Sequence, residues 1–204
     1  MATLTQPIIN SPNVVIPIPA GIDADDLIIA ISGANEGIRI EQTSPDRLTI
    51  MPPAGFESSE FNSEIIMQLR IWAKQDERGR SVDSNTLFSL PNGKKLGPDA
   101  AWISKERLLG LTAEEKKKFI HRVPEFVIEL LSSTDSKPEL RRKMHAWIDQ
   151  GVLLGWLIDP NEKSVAIYRP RRSVEVIDDA MSVVADGPVS GFVLQLADIW
   201  KGFE

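Results

Sequence analysis

The hydrophobic and polar positions of the chain fall into alternating blocks, and the clearest blocks lie in its second half. Residues 125–131 form an apolar run rich in β-forming side chains, and a polar Ser-Ser-Thr-Asp-Ser segment follows, so a buried strand and a turn are predicted. Ser136 and Glu139 predict a capping box at the start of a helix that ends at Gly151. Residues 152–158 predict a second strand. These segments together predict a βαβ-like unit.

The remaining periodicity predicts one long helix and several short elements. Apolar residues recur at intervals of four and three in an amphipathic helix predicted over residues 60–75, with Gly79 as its stop: Phe61, Ile65, Leu69 and Trp72. Short helices are predicted at residues 23–31, 104–109 and 112–119, the last with Thr112 and Glu115 as a capping box. Short strands are predicted at residues 38–41 and 48–50, which form a hairpin, and at residues 86–90, 95–103, 164–168, 174–177 and 189–196. The last three strands predict an antiparallel meander.

The length of 204 residues favours one domain. We expect an N-terminal arm or edge strand over residues 1–22 and a single domain over residues 23–204. The first residues lack the pattern of a signal peptide, and no apolar run reaches the roughly 20 residues that a membrane span needs. We therefore expect a cytoplasmic protein with no membrane partner.

The amino-acid composition limits the kinds of catalytic and metal-binding site that the chain can form. The chain has no cysteine, which excludes disulfides, thiolate zinc sites and cysteine nucleophiles. Only two histidines are present, so a His-rich metal site or a Ser-His-Asp triad is poorly supplied. The 29 acidic residues outnumber the 23 Lys and Arg residues, so a polyanion would have to bind at a local basic patch. Carboxylates become the main candidates for catalysis.

Three acids and one lysine stand out as candidate functional residues. Glu129 lies at the centre of an apolar strand, where an ionised carboxylate is costly unless it is paired or bound to a metal. Asp99 lies at the mouth of another predicted strand, and Glu64 lies on the long helix. Lys143 shares a helical flank with Leu140 and Trp147, so it can point towards the strand end. Such oxygen-rich sites suit Mg²⁺ or Mn²⁺, which would hold a phosphate oxygen and activate a water.

The chain resembles the Uma-type endonuclease family of the PD-(D/E)XK, restriction-endonuclease-like superfamily. The resemblance runs from about residue 25 to the C-terminus and depends on an ordered series of motifs. These are Gly-Pro-Asp-Ala-Ala-Trp-Ile at residues 97–103, Pro-Glu-Phe-Val-Ile-Glu-Leu-Leu-Ser-Ser at 124–133, Lys143 within 140–150, and residues 151–160 with their Gly-Trp-Leu-Ile-Asp-Pro close.

The resemblance implies an α/β (α+β) fold, with a mixed β-sheet flanked by helices and further antiparallel strands in the N- and C-terminal parts. It implies Mg²⁺ or Mn²⁺ as cofactor, with Asp99, Glu129 and Leu131 as the expected metal residues and Glu64 as a supporting acid. The lysine that usually follows the second acid by two residues is absent, since Leu131 occupies that position. Lys143 on the next helix is expected to replace it. DNA is the expected substrate, in preference to RNA, and a homodimer would cut both strands.

From the residues alone, each candidate also has a structural interpretation. Glu64 could be a solvated helix acid, Asp99 a turn residue and Lys143 a surface charge, and an edge strand could hold Glu129 without a function. Two other functions stay open, namely an inactive interaction module of the same fold and a hydrolase of small phosphoesters. The basic runs at residues 116–118 and 169–172 and the cluster of Lys137, Arg141, Arg142 and Lys143 could steer phosphates, but charge runs are typical of solvated faces. His121 and His145 lack metal-ligand spacing, and the five tryptophans are expected in the core.

Overall fold

A computed structural model describes residues 13–35, 37–113, 115–117 and 119–202. In these residues four α-helices are present: α1 (Ala24–Ala34), α2 (Phe56–Asp76), α3 (Lys137–Asp149) and α4 (Ala197–Lys201). The strands of the N-terminal half are β1 (Val14–Pro17), β2 (Arg39–Ser44), β3 (Arg47–Met51), β4 (Gly79–Asp83), β5 (Phe88–Ser89) and β6 (Lys95–Leu96). Those of the C-terminal half are β7 (Ala100–Ser104), β8 (Phe126–Leu130), β9 (Leu154–Asp159), β10 (Ser164–Tyr168), β11 (Glu175–Asp178), β12 (Ser182–Val184) and β13 (Val193–Gln195).

The central layer is a mixed six-stranded sheet in the order β11-β10-β9-β8-β7-β4. Strands β8 and β9 are parallel and are joined through α3, while the other neighbouring pairs are antiparallel. The predicted βαβ unit is therefore confirmed. Its strands are buried on both faces, because α3 packs on one side and α2 with the C-terminal segments packs on the other.

A second sheet, with the order β1-β3-β2-β6-β5, is built around the predicted hairpin β2–β3. Strand β1 pairs with β3 along its full length, so the described part of the predicted arm forms an edge strand. Residues 1–12 of that arm lie outside the described residues.

Helix α3 is fixed by the burial of Met144 and Trp147 against the central sheet. A Cβ at Gly155 of β9 would lie 2.5 Å from the Met144 Cε, so this glycine allows the helix to approach closely. Ser136 does occupy the N-cap, but it makes no side-chain capping bond. The capping box predicted with Glu139 is therefore not formed.

Helix α2 presents its predicted apolar stripe to the core, but it ends differently from the prediction. Glu77 adopts a left-handed conformation with φ of 58° and donates its amide to the Ala73 carbonyl. Gly79, the predicted stop, instead begins β4. There a Cβ would lie 2.3 Å from the Trp102 ring, so β4 can pair with β7 only because this residue is glycine.

The other differences between the predicted and the observed elements lie in the connecting segments and in the C-terminal part of the chain. Ser104 ends β7, and residues 105–110 form turns in place of the helix predicted over residues 104–109. Thr112 and Glu115 do form the predicted capping box, but only a single 3₁₀ turn, Glu115–Lys117, follows it in the described residues. The predicted third strand of the meander is shortened to β13, which pairs with β12 in a separate ribbon. Within the described ranges, no helix is both long and apolar enough to cross a membrane.

Candidate active site

The register of β7 and β8 brings two of the predicted acids together. Ala100 of β7 pairs with Ile128 of β8, so Asp99, just before β7, lies beside Glu129. The Asp99 amide donates to the Ile128 carbonyl at 3.1 Å, and Asp99 Oδ2 accepts from the Leu130 amide at 2.8 Å. The Asp99 carboxylate is therefore fixed against the backbone at the carboxyl end of β8.

Glu129 is the most deeply buried acid of the site, with 1% of the residue exposed. Its Oε1 accepts a hydrogen bond from Trp147 Nε1 at 2.8 Å, and Lys143 Nζ lies 3.0 Å from the same oxygen. Burial raises the pKa of Glu129 to about 7, although the nearby Lys143 charge acts to lower it. The carboxylate is thus held by groups on α3, as expected if helix and strand form one site.

Lys143 is the centre of the cluster. Besides Glu129, its Nζ donates to Glu41 Oε1 at 2.7 Å and to the Gly97 carbonyl at 2.8 Å. Burial acts to lower the pKa of Lys143, but the charges of Glu129 and Glu41 raise it overall, so the ammonium stays charged. The helical spacing that predicted an inward-pointing Lys143 is confirmed by these contacts.

Two further charged residues, Arg39 and Glu41, enter the cluster from β2 of the other sheet. Arg39 Nη1 pairs with Asp99 Oδ1 at 2.9 Å, and its Nη2 donates to the Gly97 carbonyl at 3.1 Å. Glu41 Oε1 accepts from the Gly97 amide at 3.0 Å and is buried. Burial acts to lower the pKa of Arg39, but the charges of Asp99, Glu41 and Glu129 raise it overall.

Sequence reasoning missed Arg39 and Glu41. They alternate with Ile38 and Ile40 on a predicted hairpin strand, which is typical of one solvated face. The available signal was a pair of opposite charges two residues apart, and therefore on one face of a strand.

These groups line a cavity of about 880 Å³ between the two sheets and α3. Its lining includes four cationic residues and five acidic residues, namely Arg39, Lys94, Arg142 and Lys143 with Glu41, Asp99, Glu129, Asp135 and Glu139. Hydroxyl groups from Ser58, Ser132 and Thr134 also face it. The cavity is therefore polar and charged, with no excess of positive charge in its lining.

Glu64, the fourth predicted catalytic residue, is not brought to this cluster. It accepts a hydrogen bond from Gln68 on its own helix at 2.8 Å, and it does not line the cavity. Asn62 lines the cavity instead, and its buried side-chain oxygen has no hydrogen-bond partner in the described part of the chain. The acid that completes the cluster is Glu41.

Leu131 lies one residue beyond the position that faces the cavity. Its amide donates to the Ile158 carbonyl at 2.8 Å, so its backbone polar groups face β9. Leu130 lines the cavity, and its amide points to Asp99. The amide and carbonyl of one strand residue point the same way, so the geometry offers the Leu130 carbonyl to the site.

Both histidines lie away from the cluster. His121 is exposed and 3.8 Å from Asp25, and His145 packs its ring against Tyr168. Trp102, Trp147 and Trp156 are buried, as predicted, and Trp72 and Trp200 are half-buried. The indole of Trp147 has the added role of holding Glu129.

The donor chemistry of the cluster fits a hard divalent cation, but its acids are already paired. Asp99, Glu129 and the Leu130 carbonyl offer the oxygen atoms that Mg²⁺ and Mn²⁺ prefer. In the described ranges, however, no three acidic or histidine side chains are arranged as a ready metal-binding group. Two of these carboxylates instead have cationic partners, since Arg39 pairs with Asp99 and Lys143 pairs with Glu129.

A mixed sheet flanked by helices, with Asp99 and Glu129 side by side at neighbouring strands and Lys143 in contact with Glu129, defines a restriction-endonuclease-like protein. The chain belongs to the Uma2 family, described as "Putative restriction endonuclease", whose model matches residues 25–197. This confirms the family that the sequence motifs indicate.

A solved structure agrees with this fold. A "putative nuclease belonging to DUF820" from Anabaena variabilis ATCC 29413 has a TM-score of 0.67 and 22% identity, over 82% of this chain and 92% of that chain. The predicted fold class is thereby confirmed. A DrdV–DNA complex has a TM-score of 0.39 and 12% identity, over 59% of this chain and 10% of that chain, and is too distant to support an argument. No curated protein matches the chain.

Proposed function

We propose that this protein is a metal-dependent endonuclease that hydrolyses phosphodiester bonds, with DNA as substrate in preference to RNA. The observation that supports this most strongly is the convergence of Asp99, Glu129 and Lys143 in one cavity. A buried group of opposite charges in a cavity is typical of catalytic sites. Membership of a family described as restriction endonucleases supports nucleic-acid hydrolysis as the reaction class.

Asp99 and Glu129 would hold the Mg²⁺ or Mn²⁺ ion, together with the backbone carbonyl of Leu130 in place of the predicted Leu131. When bound, the ion would neutralise charge on the phosphate and lower the pKa of an attacking water. The unpaired side-chain oxygen of Asn62 in the same cavity supports the fit, because it leaves a further oxygen for a water or the metal.

Lys143 would stabilise the negative charge that develops on the phosphate oxygens during hydrolysis. Its half-buried ammonium is held by Glu41 and the Gly97 carbonyl, so it is already ordered before substrate binds. Trp147 would keep the Glu129 carboxylate in one orientation through its indole hydrogen bond. Glu64 remains a candidate only for an indirect role through Gln68.

The charge of the cavity lining favours a second candidate, a hydrolase of small phosphoesters. A nucleic-acid groove is expected to carry an excess of Lys and Arg, whereas acids outnumber cations in this lining. If the protein is an endonuclease, a homodimer would supply one active site for each DNA strand.

The cysteine-free composition suits a protein that works in a reducing cytoplasm.

Plasmid nicking tests the proposal. The wild-type protein should convert supercoiled plasmid to the open circle with Mg²⁺ or Mn²⁺ and not with EDTA, and Glu129→Ala should be inactive. Glu60→Ala is the matched control and should keep the nicking activity, since it removes an exposed glutamate of α2 that does not line the cavity.

The same protein preparations also test which class of substrate is cleaved. Single-stranded DNA, RNA and bis-p-nitrophenyl phosphate are assayed alongside plasmid. Cleavage of the small ester without nicking would favour the second candidate. If neither is cleaved, or if Glu129→Ala retains the nicking activity, the catalytic assignment is wrong and an inactive interaction module of this fold is favoured.

A further inference from the structure

Arg39 occupies the carboxylate that the proposed metal needs. Asp99 has two oxygens, and both are engaged: Oδ1 pairs with Arg39 Nη1 at 2.9 Å, and Oδ2 accepts from the Leu130 amide at 2.8 Å. A divalent ion can bind Asp99 only if one of these contacts is lost or shared. A divalent ion bound at Asp99 would also lie near the positive guanidinium of Arg39, which would repel it.

The two contacts differ in how easily they can be released. The Leu130 amide belongs to β8, which is hydrogen-bonded on both sides within the central sheet, so it cannot move alone. The Arg39 side chain is on a long flexible stem and is 29% exposed, against 8% for Asp99. Its contacts are one carboxylate oxygen and the Gly97 carbonyl. Arg39 is therefore the partner that can leave.

A released Arg39 would remain in the cavity that the substrate enters. Its guanidinium now binds two oxygens through Nη1 and Nη2, a fork geometry that also matches two oxygens of a phosphate. Lys143 is less suited to this role, because its ammonium is already shared among Glu41, Glu129 and the Gly97 carbonyl.

We propose that Arg39 is a displaceable counter-ion: it neutralises Asp99 while the site is metal-free, moves away when a divalent cation binds, and then contacts a phosphate of the substrate. This inference rests on the proposed function, because it assumes that Asp99 binds a metal. It assigns to Arg39 two opposite effects, since the arginine weakens metal binding and strengthens substrate binding.

Calorimetric titration of Mn²⁺ in the absence of nucleic acid tests the first effect. Arg39→Met should bind Mn²⁺ roughly tenfold more tightly than the wild type, the change expected when about 1.4 kcal/mol of competing interaction is removed. Arg47→Met is the matched control, because Arg47 lies in the same hairpin and pairs at 3.7 Å with an exposed Asp46. It should leave the Mn²⁺ affinity unchanged.

Nicking kinetics test the second effect. Arg39→Met should raise the KM for plasmid by roughly tenfold at saturating Mn²⁺, with a smaller change in kcat, because a phosphate contact is lost. If Arg39→Met does not fold, as judged by circular dichroism, Arg39→Gln is used for both measurements. Equal Mn²⁺ affinity in the variant and the wild type, or an unchanged KM, would overturn the role of Arg39 and leave the proposed function standing. Failure of the wild type and of both variants to bind Mn²⁺ would overturn both.

Discussion

Two buried glutamates stand at opposite ends of the same strand, and their surroundings differ. Glu125 directly precedes β8 and accepts from the Ser104 amide at 3.0 Å and its hydroxyl at 2.6 Å, while Arg107 Nε lies at 3.1 Å. Glu129 lies at the other end, near Lys143 and Trp147. Both residues are less than a tenth exposed, at 7% and 1% respectively.

The difference is in what surrounds the carboxylates. Glu125 has one cation and one hydroxyl, both close to it in the fold, and its contacts tie the end of β7 to the start of β8. Glu129 lies in a group of three carboxylates and two cations, drawn from both sheets and α3, beside a large cavity. Burial of an acid therefore does not by itself indicate a function. Several charged side chains that converge on a cavity do indicate a functional site.

The largest effect should follow from removing the central cation of the Glu129 end. Lys143→Met leaves Glu41 and Glu129 buried without their shared partner, and the free energy of unfolding should fall by about 3–5 kcal/mol. Urea denaturation at pH 8 measures this, and nicking should be lost as well.

Arg142→Met is the control for that change, because Arg142 lies on the same helix but is 69% exposed and pairs loosely with Glu139 at 3.6 Å. It should cost less than about 1 kcal/mol. A Lys143→Met protein as stable as the wild type would contradict a buried charge cluster.

The second prediction is that the free energy of unfolding depends on pH through Glu129. The pKa of Glu129 is raised to about 7 in the folded metal-free protein, so the folded state binds this proton more tightly than the unfolded state does. The resulting stabilisation is fully present below pH 4.5 and is lost as the pH rises towards 7. Its size is on the order of 3 kcal/mol.

Unfolding free energies of the wild type and Glu129→Gln, measured between pH 4.5 and 8 in EDTA, isolate this contribution. The difference in stability between the two proteins should change with pH in favour of the variant as the pH rises. Parallel pH profiles would show that the carboxyl titrates normally.

Part of this comparison could be predicted from the sequence. Glu129 interrupts an apolar strand, Lys143 falls on the inner flank of the helix predicted after that strand, and the family motifs add Asp99. These signals are local, because each depends on neighbours within a few residues. The βαβ unit, the hairpin and the long helix are local in the same sense, and their prediction is confirmed.

The rest depends on pairings between distant segments. Arg39 meets Asp99 across 60 residues of chain, and Lys143 meets Glu41 across 102. No periodicity reports which face of the hairpin packs against another sheet. The same limit explains Glu64, because a helical glutamate two positions from Asn62 faces a different direction, and only the packing of α2 decides which of the two reaches the cavity.

The third prediction concerns Glu125, the buried glutamate directly before β8. Glu125→Gln removes the charge that pairs with Arg107, and the free energy of unfolding should fall by about 1–3 kcal/mol. Mn²⁺ affinity and nicking should be unchanged, because Glu125 does not line the large cavity. A loss of nicking in a folded Glu125→Gln protein would erase the contrast between the two ends.

The smallest effect should come from the hydroxyl on Glu125. Ser104→Ala removes the 2.6 Å hydrogen bond to Glu125 Oε1 and the 3.1 Å bond that the hydroxyl accepts from the Arg107 amide, but keeps the bond from the Ser104 amide to Glu125. The cost should be about 1 kcal/mol by thermal or urea unfolding, with no change in nicking. A cost as large as that of Glu125→Gln would contradict this order, because the Ser104 hydroxyl would then stabilise the fold as much as the Glu125 charge does.

The central claim is that Glu129 belongs to a metal centre and Glu125 does not. Calorimetric titration of Mn²⁺ into the wild type, Glu129→Gln and Glu125→Gln tests it most directly, because each variant removes one buried carboxylate at one end of β8. We expect the wild type and Glu125→Gln to bind Mn²⁺ with the same affinity and Glu129→Gln to lose binding. Equal binding by all three proteins, or no binding by the wild type, would contradict the account.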